Sequence, residues 1–216
     1  MELTKESLQN LRQEYRSAEL LEQDIDQNPL EQFKKWFEQA LGAQLYEPNV
    51  MTLATASASG IPSARIVLLK GFDEQGFVFY TNYESHKGRE LAENPHAALV
   101  FFWPELERQV RIEGTVEKVA PEVSTAYFHS RPQGSQIGAM VSPQSQVIKS
   151  RSELENHIVV LKEKYHDQEI PRPSHWGGYV VKPNLIEFWQ GRPSRLHDRI
   201  RYKFVDGNWN IDRLAP

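Results

Sequence analysis

Apolar positions in this chain switch between two periods. Leu30, Phe33, Phe37, Ala40 and Leu41 recur at steps of three and four, which puts them on one face of a helix. Asn28-Pro29-Leu30-Glu31 opens that helix: Asn as N-cap, Pro where the backbone N–H has no partner, and Glu three residues after the cap. Before it, residues 4–16 form a shorter predicted helix with Leu8, Leu11 and Tyr15 on one side, and the acidic stretch 22–27 reads as a linker. After it, alternation takes over. Strands are expected at 50–56 and 62–72 around Ser57-Ala58-Ser59-Gly60, at 77–82 after Asp73-Glu74-Gln75-Gly76, and at 97–103 and 107–119 around Pro104. The last strands fall at 176–181, 185–190, 199–205 and 209–212. Further helices are expected at 85–94, 121–130 and 150–165, the second stopped by Arg131-Pro132 because the residue before proline avoids helical angles. Most strands are joined by hairpins. The pattern predicts a mainly β fold, an antiparallel sheet closed as a barrel with helices at its periphery. Residues 1–27 form an arm and linker, and 28–216 a single domain.

Composition narrows the function. With 216 residues and a net charge of −4, no basic field advertises nucleic acid or an anionic membrane, so any anion site must be local. Cysteine is absent, which excludes disulfides and thiolate metal sites and fits a reducing compartment. The start, Met1 to Glu6, lacks the apolar stretch of a signal peptide, and no run of 18 apolar residues exists; a cytoplasmic location is expected. The seven histidines are scattered and form no metal-binding spacing, so no metal is expected. No P-loop, GxGxxG or GxSxG stretch occurs.

Four places hold candidate chemistry. Extended backbone over Arg195-Leu196-His197-Asp198-Arg199 would point Arg195, His197 and Arg199 one way, with Trp189 just upstream. Such a face suits an anionic aromatic ligand, or else is a surface strand with salt-bridged arginines. Arg65 and Lys70 lie five apart on one predicted strand, on opposite faces unless a bulge intervenes. Ser85-His86-Lys87-Gly88 opens a helix, either an anion site at the helix N-terminus or an ordinary cap. Tyr127 and Arg131 share a helix face with Ser135 beyond a turn; with Lys70 they offer two cations and two hydroxyls to a phosphate, or else Tyr127 is core and Arg131 a C-cap.

Glu187-Phe188-Trp189-Gln190, a four-residue gap and Arg195-Leu196-His197-Asp198-Arg199 resemble the C-terminal motif of the pyridoxine (pyridoxamine) 5′-phosphate oxidases. Arg65 to Lys70, Tyr80-Thr81-Asn82, Glu107 to Val110, Tyr127 to Pro132, Ser135 to Ala139 and Ile211 to Pro216 follow in the family's order, so the resemblance runs from about Leu11 to Pro216. It implies an FMN-binding split barrel and a homodimer with FMN at the interface. The implied reaction oxidises pyridoxine 5′-phosphate or pyridoxamine 5′-phosphate to pyridoxal 5′-phosphate, in vitamin B6 salvage. Hydride passes to FMN, O2 becomes H2O2, and the amine releases ammonia.

The resemblance also carries site residues. FMN contacts fall on Arg65, Ile66, Val67, Leu68, Leu69, Lys70, Tyr80, Thr81, Ser85, His86, Lys87, Gln109, Gln144, Ser145, Trp189 and Arg199. Substrate contacts fall on Arg12, Tyr15, Lys70, Tyr127, Arg131, Ser135, Arg195 and His197. Arg195 would cover the pyridine ring and His197 would bond its hydroxyl. The family commonly has Arg where His86 stands. A nicotinamide-dependent split-barrel reductase and a non-catalytic flavin or pyridoxal-phosphate carrier are the alternatives. The first should lack the Arg195/His197 and Tyr127/Arg131/Ser135 sets together, and this chain has both.

Overall fold

The computed structural model describes residues 4–11 and 14–216. Its elements are α1 (Lys5–Gln9), α2 (Pro29–Gly42), β1 (Val50–Ala56), β2 (Pro62–Leu68), β3 (Gly71–Asp73), β4 (Gly76–Asn82), α3 (His86–Glu93), β5 (His96–Trp103), β6 (Arg108–Lys118), α4 (Pro121–Ser130), α5 (Gln133–Val141), α6 (Arg151–Lys164), β7 (Trp176–Gln190), β8 (Asp198–Val205) and β9 (Asn208–Arg213). The strands follow the order β2-β1-β5-β6-β7-β4-β3, with β8 on β7 and β9 on β8. The pairs β1–β2, β3–β4, β4–β7, β7–β8 and β8–β9 are antiparallel, as the hairpin spacing predicts. No helix of the described residues is long and apolar enough to cross a membrane. The chain divides into two compact units, and β5, β6 and β7 contribute residues to both.

The first unit gathers Met1–Pro48, Val100–Ile112 and Leu185–Pro216. The Asn28 side chain caps α2 by accepting from the Leu30 N–H, and Pro29 occupies the first turn. The buried stripe of α2 is Phe33, Trp36 and Ala40; Leu41, expected inside, is 54% exposed. Phe33 packs on Phe101 at 5.2 Å, and Trp36 meets Phe188 edge-on at 5.2 Å. Burying each such side chain contributes about 1.5–3 kcal/mol. Tyr202 is fully buried and donates its hydroxyl to the Asp26 carbonyl at 2.6 Å.

The N-terminal helix is shorter than the periodicity predicts. It ends at Gln9, and Leu8 and Leu11 are exposed. The backbone N–H groups of Arg16 and Ser17 donate instead to the Glu107 carboxylate at 2.7 and 2.8 Å. A tertiary acceptor there replaces the helical ladder, which a short segment holds poorly.

The second unit gathers Asn49–Leu99 and Glu113–Asn184. Met51, Leu53, Phe77, Phe79 and Leu99 are buried along its strands, and Phe128, Ile137, Tyr165, Ile170 and Trp176 form a separate cluster. Three expectations need correction here. The strand expected at 62–72 breaks after Leu68, because the Leu69 N–H bonds the Asn49 carbonyl and the Lys70 N–H bonds Val78. The chain changes partner strand at that point. The two strands expected at 176–181 and 185–190 are one strand, β7, continuous through Pro183. The segment between Arg131 and Ser135, read as a Pro-containing turn, leads directly into the helix α5, which begins at Gln133.

Candidate active site

A cavity of about 650 Å³ opens in the second unit. The end of β2 supplies Ile66, Val67 and Leu68, the partner switch supplies Lys70, and β4 supplies Tyr80 and Thr81. Lys87 enters from α3, Tyr127 from α4, Arg131 from the bend before Pro132, Ser135 from α5, Gln144 from the loop beyond, and Trp176 from the start of β7. Three helices and three strands therefore bring together residues from Ile66 to Trp176.

Two cations in this lining have no carboxylate within ion-pair distance among the described residues. Lys87 is 8% exposed, and its Nζ donates to Thr81 at 3.3 Å, Ser85 at 3.4 Å and the Gln144 side-chain oxygen at 3.2 Å. All three are neutral groups. Burial pushes the Lys87 ammonium below the ordinary lysine value and the Arg65 charge adds to this, with Glu90 opposing. Ser85, fully buried, caps α3 by accepting from the Gly88 N–H at 3.3 Å. A buried ammonium beside a helix N-terminus is an anion-binding arrangement. Arg131 is the second case. Burial lowers its pKa, and its Nη1 is buried with no hydrogen-bond partner. Such an orphan costs roughly 1–3 kcal/mol until an acceptor reaches it. Lys70, Tyr127 and Ser135 stand in the same lining. The donor set fits a ligand or ligand pair with two anionic ends and flat rings, as FMN and a phosphorylated pyridine would present.

Other expected residues of this unit have different partners. Arg65 contacts Thr55 and Ser63 and pairs with Glu90 at 3.3 Å; it does not line the cavity. Glu90 is 5% exposed. Burial works to raise its carboxyl, but hydrogen bonds from Ser63 and Thr55 and the charges of His86 and Arg65 outweigh it and hold the pKa below the usual carboxylate range. His86 is exposed and faces Glu90 at 3.3 Å across one helical turn. Leu69 is core at 6% exposure, and Ser145 is exposed with left-handed backbone, φ 70°. Neither lines the cavity.

The first unit holds the remaining residues. Extended backbone over 195–199 is not observed. Pro193–Arg195 is a short 3-10 turn, and both Ser194 and Arg195 are left-handed at φ 56° and 62°. The alternation that would align Arg195, His197 and Arg199 is therefore broken. Arg195 is exposed, whereas Arg199 lies in β8 and makes two hydrogen bonds to the buried Glu187, at 2.8 and 3.1 Å. Arg111 also pairs with Glu187, at 3.3 Å. Half-buried His197 packs on Trp189 at 4.6 Å and on Tyr15 at 5.9 Å. Burial and the Arg195 charge lower its pKa, against Asp198. The Tyr15 ring rests on Gly191, where a Cβ would stand 2.7 Å from it. Gln109 is half-buried on β6, and Arg12 lies outside the described residues.

Sequence reasoning did not single out Trp176, Glu90 or Glu187. Trp176 and Glu90 owe their roles to burial and to partners 25 or more residues away, which spacing does not display. Glu187 stood inside the C-terminal motif without a role.

A family model described as pyridoxamine 5′-phosphate oxidase matches residues 37–165, and one described as the pyridoxine 5′-phosphate oxidase C-terminal dimerisation region matches 176–216. A pyridoxine/pyridoxamine 5′-phosphate oxidase of Salinibacter ruber is 62% identical over 97% of this chain and 99% of its own length. One of Acaryochloris marina is 60% identical over 99% of this chain and 97% of its own. Among solved structures, PhzG from Burkholderia lata, in complex with tetrahydrophenazine-1-carboxylic acid, superposes with a TM-score of 0.87 at 29% identity, covering 93% of this chain and all of that one. A pyridoxamine 5′-phosphate oxidase-related, FMN-binding protein of Nostoc punctiforme shares the fold, with a TM-score of 0.69 at 18% identity over 85% of this chain and 97% of that one. With both family models and full-length relatives in agreement, the chain belongs to the pyridoxine/pyridoxamine 5′-phosphate oxidase family, whose members are FMN-dependent oxidoreductases.

Proposed function

We propose that this enzyme oxidises pyridoxine 5′-phosphate and pyridoxamine 5′-phosphate to pyridoxal 5′-phosphate, with O2 as electron acceptor and H2O2 as the second product. The observation that carries the reading is the orphaned Arg131 Nη1 in a cavity also lined by Lys70, Tyr127 and Ser135. Two cations and two hydroxyls match a phosphate dianion, and each charge-assisted bond contributes roughly 1.5–3 kcal/mol. Lys87 and Ser85 would hold the FMN phosphate at the start of α3, and the β2 end with Tyr80, Thr81 and Gln144 would flank the rest of the cofactor. Bound FMN supplies the two-electron acceptor for hydride from the substrate's C4′ carbon. His197 would donate a hydrogen bond to the ring hydroxyl, Arg195 would cover the ring face, and Tyr15 would shield the site from water. Orientation of two flat rings is the protein's main contribution, and no side chain here is assigned as a general base.

The dimerisation-region match supports a homodimer, which we propose carries FMN at its interface; the two residue sets need not then come from one subunit. Residues 1–27 act as an arm on a domain formed by 28–216. The protein works in the cytoplasm.

Peroxide release on adding pyridoxamine 5′-phosphate to the purified enzyme tests the reading, together with flavin absorbance that bleaches with pyridoxine 5′-phosphate in the absence of oxygen. Bleaching by a nicotinamide donor alone would favour a reductase, and flavin that no substrate reduces would favour a carrier. Preference for a reduced aromatic carboxylate would align the enzyme with the PhzG structure.

A further inference from the structure

Arg131 follows α4 in extended backbone, φ −80° and ψ 150°, as a residue before proline must. Its guanidinium lies 4.5 Å from the Trp176 ring and 5.9 Å from Phe128. Trp176 is 6% exposed and continues a stack of near-parallel rings. Tyr80 lies 5.5 Å from it at 14° between planes, Tyr127 lies 6.2 Å away at 10°, and the two tyrosines stack on each other at 3.9 Å. Of the acceptors in reach of a buried guanidinium, a carboxylate would attract it more strongly. It would also neutralise the charge and occupy the N–H fork a phosphate needs. An aromatic face attracts the cation through its quadrupole and leaves the N–H groups free. The unpartnered Nη1 is the visible result.

We propose that Trp176 is a positioning residue: its indole face holds the Arg131 guanidinium ready for the substrate phosphate and thereby sets the preference for phosphorylated over unphosphorylated substrate. The inference rests on the phosphate role given to Arg131 above. Because Tyr127 belongs to the same stack, Trp176 orders a second member of the cradle. The phosphate is bound alike in the ground and transition states, so loss of the platform acts on KM and spares kcat.

The test uses the FMN-loaded enzyme and two substrates, pyridoxine 5′-phosphate and unphosphorylated pyridoxine. Trp176→Leu is expected to raise KM for the phosphorylated substrate about 10-fold with kcat within about 2-fold, and to leave kcat/KM for pyridoxine within about 2-fold. Trp176→Phe, which keeps a ring face and carries the test if the leucine variant does not fold, should raise KM about 3-fold. The dissociation constant of pyridoxal 5′-phosphate, followed by fluorescence titration, should rank the variants in the same order. Adding Trp176→Leu to Arg131→Ala should raise KM by less than the same change does in the wild type, since the part of its effect that passes through Arg131 is already lost. Equal losses on both substrates, or an unchanged KM in both Trp176 variants while Arg131→Ala raises it, would overturn the positioning role alone. An unchanged KM in Arg131→Ala would overturn the phosphate cradle itself.

Discussion

The backbone N–H of Arg192 donates to Nδ1 of His197 at 3.1 Å. In the neutral imidazole this puts the proton on Nε2, which becomes a fixed donor. Burial, with the Arg195 charge, pushes the pKa down, so the ring stays neutral through pH 7 and charges only below the ordinary histidine value.

His197→Asn should therefore lower kcat/KM for pyridoxine 5′-phosphate about 10- to 100-fold, the weight of one lost hydrogen bond to an ionised or polar ring oxygen, with FMN retained. Nitrogen NMR of the wild type should show the Nε2–H tautomer at pH 7. Loss of flavin from the variant on gel filtration would remove His197 from the substrate side.

Lys87 and His86 should separate cleanly. Lys87→Met removes a buried charge with neutral partners, so the FMN-free protein should be as stable as wild type or more so, while FMN affinity falls at least about 10-fold. The sign follows from the lowered pKa. The unfolded chain binds the Lys87 proton more tightly, so wild-type FMN-free protein should gain stability relative to Lys87→Met as pH rises toward the ordinary lysine value. His86 is directed at Glu90, so His86→Arg should change FMN affinity less than about 3-fold at pH 8. Equilibrium dialysis with FMN reads both variants.

Glu90→Gln breaks the pair with Arg65 and weakens the bonds to Ser63 and Thr55, with an expected loss of roughly 2–4 kcal/mol in urea unfolding at pH 7. Because the folded pKa is lowered, the wild-type advantage is full above the unfolded value near 4.5 and fades as pH falls through the folded one. Parallel curves for the two proteins from pH 7 to pH 3 would show that Glu90 does not carry the network.

The arm is fastened at Glu107, which also accepts the Ser17 hydroxyl at 2.7 Å. Gly191→Ala should push the Tyr15 ring away, and Glu107→Gln should loosen residues 16 and 17. Each should lower kcat/KM about 3- to 30-fold and speed trypsin cleavage at Arg16, with pyridoxal 5′-phosphate protecting the wild type. A deletion probing the arm should stop before Ser17, because the Leu20 N–H bonds Asp198 and its carbonyl bonds Arg213. Unchanged kcat/KM in Tyr15→Ala would make the arm a passive tail.

Local chemistry made much of the fold readable. The Asn28 cap, the Ser57 to Gly60 hairpin and the Arg131-Pro132 stop each act within a few residues, and the sequence displays them. The cavity's polar lining coincides largely with positions carried by the resemblance. What spacing missed depends on distant partners or on unmarked backbone. No glycine announces the left-handed pair Ser194 and Arg195, so the motif reads as a strand. Nothing near Arg199 reveals that Glu187 will claim it across β7 and β8. Pro132 looks like a turn, yet it is the N-cap residue from which α5 starts.

The first unit is assembled from three stretches, one of them Leu185–Pro216. Tyr202 reaches back 176 positions to Asp26, and Arg213 reaches 191 positions to Glu22, whose pKa it holds down to about 2. A chain synthesised from its N-terminus must therefore carry Trp36 on α2 without Phe188 or Tyr202 until those residues leave the ribosome. Contacts this remote make closure slow and leave an aromatic face open to other chains in the meantime. Completion of the C-terminal hairpin is then the event that hides that face, and a nascent chain stalled just short of it is the form most exposed to aggregation and to chaperones.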